Sequence, residues 1–73
     1  MIDLPKPEIG KQYKVIHSRK GTFYMSITEI NGDWITGIIT RGTAKAMNAH
    51  NVRYTGDEIT IRESHSHFIR DSE

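Results

Sequence analysis

The residues best suited to chemistry lie near the C-terminal end of the sequence. Glu63, His65 and His67 would point to one side of a continuous strand, and two imidazoles with a carboxylate are a ligand set for divalent metal ions. Such side chains lie about 6 to 7 Å apart along a strand, and the sequence offers them no orienting partners. The intervening serines and Asp71 supply the residue types of a hydrolase triad, but neighbours on one strand rarely adopt its geometry. We therefore predict no catalytic residue, no metal site and no cofactor.

Other catalytic patterns are missing from the sequence. It contains no GxGxxG, no P-loop and no HExxH motif. A chain of 73 residues also has little room for a concave pocket that excludes water and splits the pKa values of paired carboxylates. We expect a protein that is not an enzyme and that has no small-molecule substrate.

Basic residues form the second candidate group, because they cluster along the sequence. No carboxylate lies between Ile9 and Thr28, and only cations carry charge between Trp34 and Gly56. A face built from these cations could follow phosphate groups, and exposed Tyr24, Tyr54 or Trp34 could stack on bases. The formal net charge of +1 is too close to neutral to indicate nucleic acid by itself.

Alternating residues predict the strands that must position these groups. Residues 1–10 contain two prolines and predict an extended N-terminal arm. Residues 11–70 predict one β domain, and residues 71–73 predict a tail. Glu58 to Glu63 alternates strongly, with Ile59 and Ile61 on one face. The phase of the apolar residues then changes before Phe68, which predicts a fifth strand after a kink.

Asn31-Gly32 predicts a hairpin between two runs of β-forming residues. With these two residues in the loop, Ile30 pairs with Asp33 and Glu29 with Trp34. This register assigns one face, the expected core, to Phe23, Met25, Ile27, Trp34 and Ile38. It assigns the opposite face to Tyr24, Ile30, Ile35 and Ile39. Either the strands bury different faces along the length of a small barrel, or the second face binds a partner or a second copy.

The segment 43–49 is the one stretch with good helix formers. Thr43 is placed to cap a helix of at most two turns. A helix or an irregular loop fits this segment, and Met47 within it suits the closing of a barrel end.

Composition sets the class of protein. Hydrophobic residues make up 36% and charged residues 26% of the chain, which suits a small polar globular domain. There is no cysteine to supply a disulfide or a thiolate metal site. No apolar run reaches the roughly 18 residues of a membrane helix, and the first residues lack the pattern of a signal peptide, so we expect a cytoplasmic location and no membrane partner.

The order of strand, basic turn, long hairpin, short insert and final strand pair resembles SH3-like small barrels. The segments KGTF at 20–23, GDWI at 32–35 and GDEI at 56–59 look similar to small phage- or prophage-encoded proteins of uncharacterised role, as do GTA at 42–44 and RESH at 62–65. The resemblance implies a mostly β fold, a five-stranded and partly open barrel with one short helical insert. It also implies a viral origin and a host cytoplasm, but transfers no active-site residue. Lys20-Gly21 also resembles the basic turn of the KOW element in ribosome-associated barrels.

We therefore expect a non-catalytic binding module, a phage-encoded adaptor or inhibitor that binds a host protein or associates with itself. The alternative is a small barrel that binds nucleic acid through a basic loop face. The candidate partner-binding residues are Lys14, Arg19, Lys20, Tyr24, Ile35, Ile39, Arg41, Lys45 and Arg53.

Overall fold

Five strands carry the fold in a computed structural model, which describes residues 6–47 and 49–70. The strands are β1 (Gln12–His17), β2 (Gly21–Asn31), β3 (Trp34–Gly42), β4 (Glu58–Arg62) and β5 (Ser66–Arg70). They form one antiparallel sheet in the order β4-β3-β2-β1-β5, which is not closed. Short 3₁₀ turns lie at Ala49–Asn51 and Glu63–His65. The prediction of a mostly β fold with five strands is confirmed.

The core lies on one face of this sheet, because apolar residues alternate with polar ones along each strand. Its buried members come from all five strands and from the segment between β3 and β4, which we call the insert. They are Tyr13, Val15, Phe23, Met25, Ile27, Ile35, Ile39, Ala44, Ile59, Ile61 and Phe68. Burying such side chains stabilises a fold by about 25 cal/mol for each Å² of apolar surface removed from water. The strong alternation of β4 is confirmed, and the change of phase before Phe68 corresponds to the 3₁₀ turn between β4 and β5.

The hairpin between β2 and β3 forms, but its predicted register is wrong. Beside the loop Ile30 pairs with Ile35, which lies two residues beyond its predicted partner. Beyond an irregularity at Thr28 the difference is one residue, and Met25 pairs with Ile39. The loop is Gly32-Asp33, and Asn31 pairs with Trp34. Gly32 has φ +62, whereas no described residue other than glycine has a positive φ. A loop centred on Asn31-Gly32 would need a positive φ at Asn31 as well, while a glycine in first position suits a type II′ turn.

The extra residue at Thr28 leaves a net shift of one residue, which moves the side chains of β3 to the other face relative to Met25 and Ile27. Trp34 is exposed, and Ile35 and Ile39 are in the core. A second irregularity in the pairing lies at Thr40, and the buried residues of both strands occupy every second position. The predicted second face for Ile35 and Ile39 is therefore wrong, because both residues lie in the same core as Met25 and Ile27.

The predicted helix in segment 43–49 is not present in the part of it that the structure describes. Ala44 is buried and exchanges backbone hydrogen bonds with Arg53, its N–H lying 2.9 Å from the Arg53 oxygen. The Lys45 N–H donates to the Lys20 oxygen at 2.9 Å. These backbone groups form hydrogen bonds with other segments, so they are not available for hydrogen bonds within a helix. At the end of the segment, Ala49–Asn51 makes a 3₁₀ turn.

The second half of the predicted arm is docked on the sheet. Pro7 is buried, and the Gly10 N–H donates to the Ile27 oxygen at 2.9 Å. The Tyr13 hydroxyl accepts a hydrogen bond from the Glu8 N–H at 3.0 Å. Residues 1–5 of the predicted arm and the tail 71–73 lie outside the described residues. Within the described part of the chain, no helix has the length and apolar character needed to cross a membrane.

Candidate functional site

The predicted partner-binding residues fall into three places. Ile35 and Ile39 are 0% and 1% exposed, so their predicted place on an accessible face was wrong. Their burial follows from the one-residue shift of the hairpin register. The remaining seven divide between the outer face of the sheet and a groove at one end of it.

Three of these residues form a row across the outer face of the sheet. Lys14 pairs with Tyr24, and Tyr24 pairs with Arg41, while Ile69 continues the row on β5. The Arg41 guanidinium carbon lies 4.4 Å from the centre of the Tyr24 ring, in a cation–π contact. This row is distinct from the groove, because none of its members lines it.

The other four residues line one groove with a volume of about 580 Å³. Arg19 and Lys20 come from the turn between β1 and β2, and Lys45 and Arg53 come from the insert between β3 and β4. These two segments are far apart in sequence and form facing walls. The structure thus brings together the basic residues of two separate sequence stretches, and we call this feature the basic groove.

His17 fixes the wall that carries Arg19 and Lys20. Its side chain lies on the core face of β1, and its Nδ1 atom accepts hydrogen bonds from the backbone N–H groups of Arg19 and Lys20 at 3.0 and 3.1 Å. An Nδ1 that accepts two N–H groups carries no proton, so the imidazole is neutral with its proton on Nε2. Burial lowers the pKa of His17, and the positive charge of Lys20, the nearby His65 and Arg19 lower it further.

The insert forms the second wall through backbone contacts. The hydrogen bond from Lys45 to the Lys20 oxygen joins the two walls, and the bridge between Ala44 and Arg53 closes the insert on itself. The Arg53 guanidinium donates weakly to the oxygens of His50 and Val52 at 3.3 and 3.4 Å. These contacts place cationic groups along the rim of the groove.

The electrostatics of the groove favour an anion. Four basic side chains line it against a single carboxylate, that of Glu58. A concave surface with one dominant sign of charge concentrates ions of the opposite sign. The clustering of basic residues in the sequence indicated the cations, but it did not indicate His17.

A second cluster lies at the loop of the hairpin. The Arg62 Nε donates to the Asp33 carboxylate at 3.0 Å, and the Ser64 hydroxyl donates to the same oxygen at 2.9 Å. The side-chain hydrogen bond from Ser64 is the main cause of the lowered pKa of Asp33, with smaller contributions from Arg62. The Arg62 guanidinium carbon lies 5.0 Å from the centre of the Trp34 ring.

The residues considered for metal binding do not share a strand. Glu63 and His65 belong to the 3₁₀ turn, whereas His67 belongs to β5. Among the residues that the structure describes, no group of three histidine or acidic side chains could hold a metal ion.

Comparison of the chain with protein families, with curated proteins and with solved structures gives no match. The basic groove and the cluster at the hairpin loop are therefore the features that bear on function.

Proposed function

We propose that the protein is a non-catalytic binding module that holds the phosphate backbone of a nucleic acid in the basic groove. The observation that carries this proposal is the convergence of Arg19, Lys20, Lys45 and Arg53 on one concave surface. Their two segments are joined by a direct backbone hydrogen bond between Lys45 and Lys20.

Phosphate is the anion that this arrangement suits best. Each phosphodiester carries one charge, and a row of spaced cations neutralises successive phosphates while releasing their counterions. Lysine offers a mobile point charge and arginine a planar fork, and both bind phosphate. Neutral His17 adds no charge, but it holds the backbone from which Arg19 and Lys20 project.

The proposed fold is an SH3-like barrel, open between β4 and β5. The strand order β4-β3-β2-β1-β5 and the 3₁₀ turn between the last two strands support this assignment. Small barrels of this class bind peptides, nucleic acids or protein surfaces, so the fold alone does not indicate the ligand. The excess of positive charge in the groove supports an anionic ligand.

The test is a titration with a fluorescently labelled oligonucleotide at several salt concentrations. If three or four phosphates are neutralised, the logarithm of the binding constant falls against the logarithm of salt concentration with a slope of about −2 to −3 for a single strand. No detectable binding at low salt, or a slope near zero, would contradict the proposal.

A phage-encoded adaptor or inhibitor that binds a host protein is the second candidate. Half-exposed Ile16 and Ile69 lie beside the Lys14–Tyr24–Arg41 row, and together they combine apolar and cationic groups as association surfaces do. Measuring the molar mass at several protein concentrations tests self-association through this face. A constant monomer mass would rule it out, and the gene neighbourhood tests the viral origin.

A further inference from the structure

Trp34 is an exposed aromatic ring that the basic groove does not use. It is the single tryptophan of the sequence, and 48% of its surface is accessible. It lies on a strand and not in a loop, so its backbone is fixed by pairing to both Asn31 and Arg62. A large ring left half in water on a paired strand is a common feature of binding surfaces.

The ring belongs to a fixed arrangement. The Arg62 guanidinium lies against it at 5.0 Å, and Asp33 holds that guanidinium by accepting the Arg62 Nε–H at 3.0 Å. Asp33 is held in turn by Ser64, whose backbone N–H donates to its other oxygen at 3.0 Å. We call Trp34 with Arg62 the platform: the cation covers one face of the ring, and the other face is the one on which a nucleobase can stack. Aromatic rings and arginines serve together in this way in single-strand binding proteins.

Strand β4 connects this platform to the basic groove. Glu58 and Thr60 line the groove, and Arg62 follows on the same face, because every second residue of a strand points the same way. Four residues at about 3.3 Å each separate Glu58 from Arg62 by about 13 Å. One short strand of nucleic acid can therefore reach both sites.

We infer that Trp34 is a stacking site for an unpaired nucleobase of the same strand whose phosphates lie in the basic groove. This inference rests on the proposed function and narrows its ligand to single-stranded nucleic acid, because a base inside a duplex is not free to stack on a side chain. Glu58 lines the basic groove, where its carboxylate repels the nucleic-acid backbone and weakens binding.

The fluorescence of Trp34 tests the inference directly, since no other tryptophan contributes. The protein is titrated with a single-stranded thymidine oligonucleotide and, separately, with an abasic strand of the same length and charge. Stacking predicts strong quenching by the first strand, little quenching by the second, and at least five-fold tighter binding of the first. Binding of both strands with equal affinity and no quenching would overturn the inference but leave the phosphate groove standing. Binding of neither would overturn both.

Variants separate stacking from folding. Trp34→Ala is expected to lose at least five-fold in affinity for a labelled thymidine strand and to bind the abasic strand as wild type does, while Trp34→Phe recovers most of the loss. Ile30 lies in the same hairpin as Trp34, and its side chain is exposed and apolar but not aromatic. The Ile30→Ala variant should bind both strands as wild type does. Equal losses for Trp34→Ala and Ile30→Ala, or a Trp34→Ala loss shared by the abasic strand, would contradict a stacking role. Glu58→Gln should bind both strands more tightly.

Discussion

At the scale of single residues, His17 shows how one core position controls charged neighbours. His17 alternates with Val15 and Tyr13 along β1, but a pattern of hydrophobicity cannot show that its Nδ1 accepts two backbone N–H groups from the following turn. The clustering of Arg19 and Lys20 is visible in the sequence, whereas their meeting with Lys45 and Arg53 is not. That meeting depends on backbone contacts between residues 25 apart in sequence, Lys45 and Lys20.

The lowered pKa of His17 predicts a stability that depends on pH. The unfolded chain takes up a proton at the ordinary pKa of about 6.5, while the folded chain resists protonation because Nδ1 is occupied and buried. The free energy of unfolding should therefore be constant above about pH 6.5 and fall as pH decreases below it toward the folded pKa. Urea denaturation between pH 7.5 and 5.5 measures this.

His17→Asn is the matched control, because its side-chain oxygen can still accept a hydrogen bond but does not titrate. Its loss of stability over the same pH range should be smaller than that of wild type. Parallel curves for the two proteins would show that His17 does not contribute to the effect.

At the scale of elements, the strands could be predicted from the sequence. Which residues of β3 face the core could not. Alternation located β1, β2 and β4, since each buries every second residue along its buried stretch. β5 has one buried residue, Phe68, and was predicted from the change of phase before it. β3 contains isoleucine on both faces, so alternation does not decide which of its residues face the core, and only the turn residues Asn31-Gly32 indicate this. In the structure Gly32 is the first loop residue instead of the second, which shifts the pairing beside the loop by two residues. The extra residue at Thr28 reduces the shift to one residue at Met25 and Ile27, and this reverses Trp34 and Ile35. Ala44, similarly, has a high helix propensity that its buried bridge to Arg53 overrides.

Gly37 tests the packing between β2 and β3. A Cβ at this position would lie 2.2 Å from the Ser26 carbonyl oxygen and 2.7 Å from the Met25 methyl carbon. Because a backbone atom cannot move aside readily, Gly37→Ala should lower the free energy of unfolding by about 1 to 3 kcal/mol. Chemical denaturation provides the measurement. Thr40→Ala, an exposed change in the same strand, should cost no more than about 0.5 kcal/mol, and an equal cost for both would contradict the described packing.

At the scale of the whole molecule, the proposed function depends on charge distribution and not on total charge. The formal charge of +1 conceals a groove where four cations face one carboxylate. The mostly β fold and the clustering of basic residues could be predicted from the sequence, because both depend on local patterns. The groove and the exposure of Trp34 could not be predicted, because they depend on strand register and on long-range contacts of the segment between β3 and β4.

The most direct test of the account compares two double variants of equal charge by oligonucleotide binding at several salt concentrations. Lys20→Ala with Lys45→Ala removes one cation from each wall of the basic groove, whereas Lys11→Ala with Arg70→Ala removes two exposed cations that do not line it. The groove variant should bind more weakly, and its salt slope should be smaller in magnitude by about 1.4, while the control stays close to wild type. Equal behaviour of the two variants would contradict the claim that nucleic acid binds in this groove.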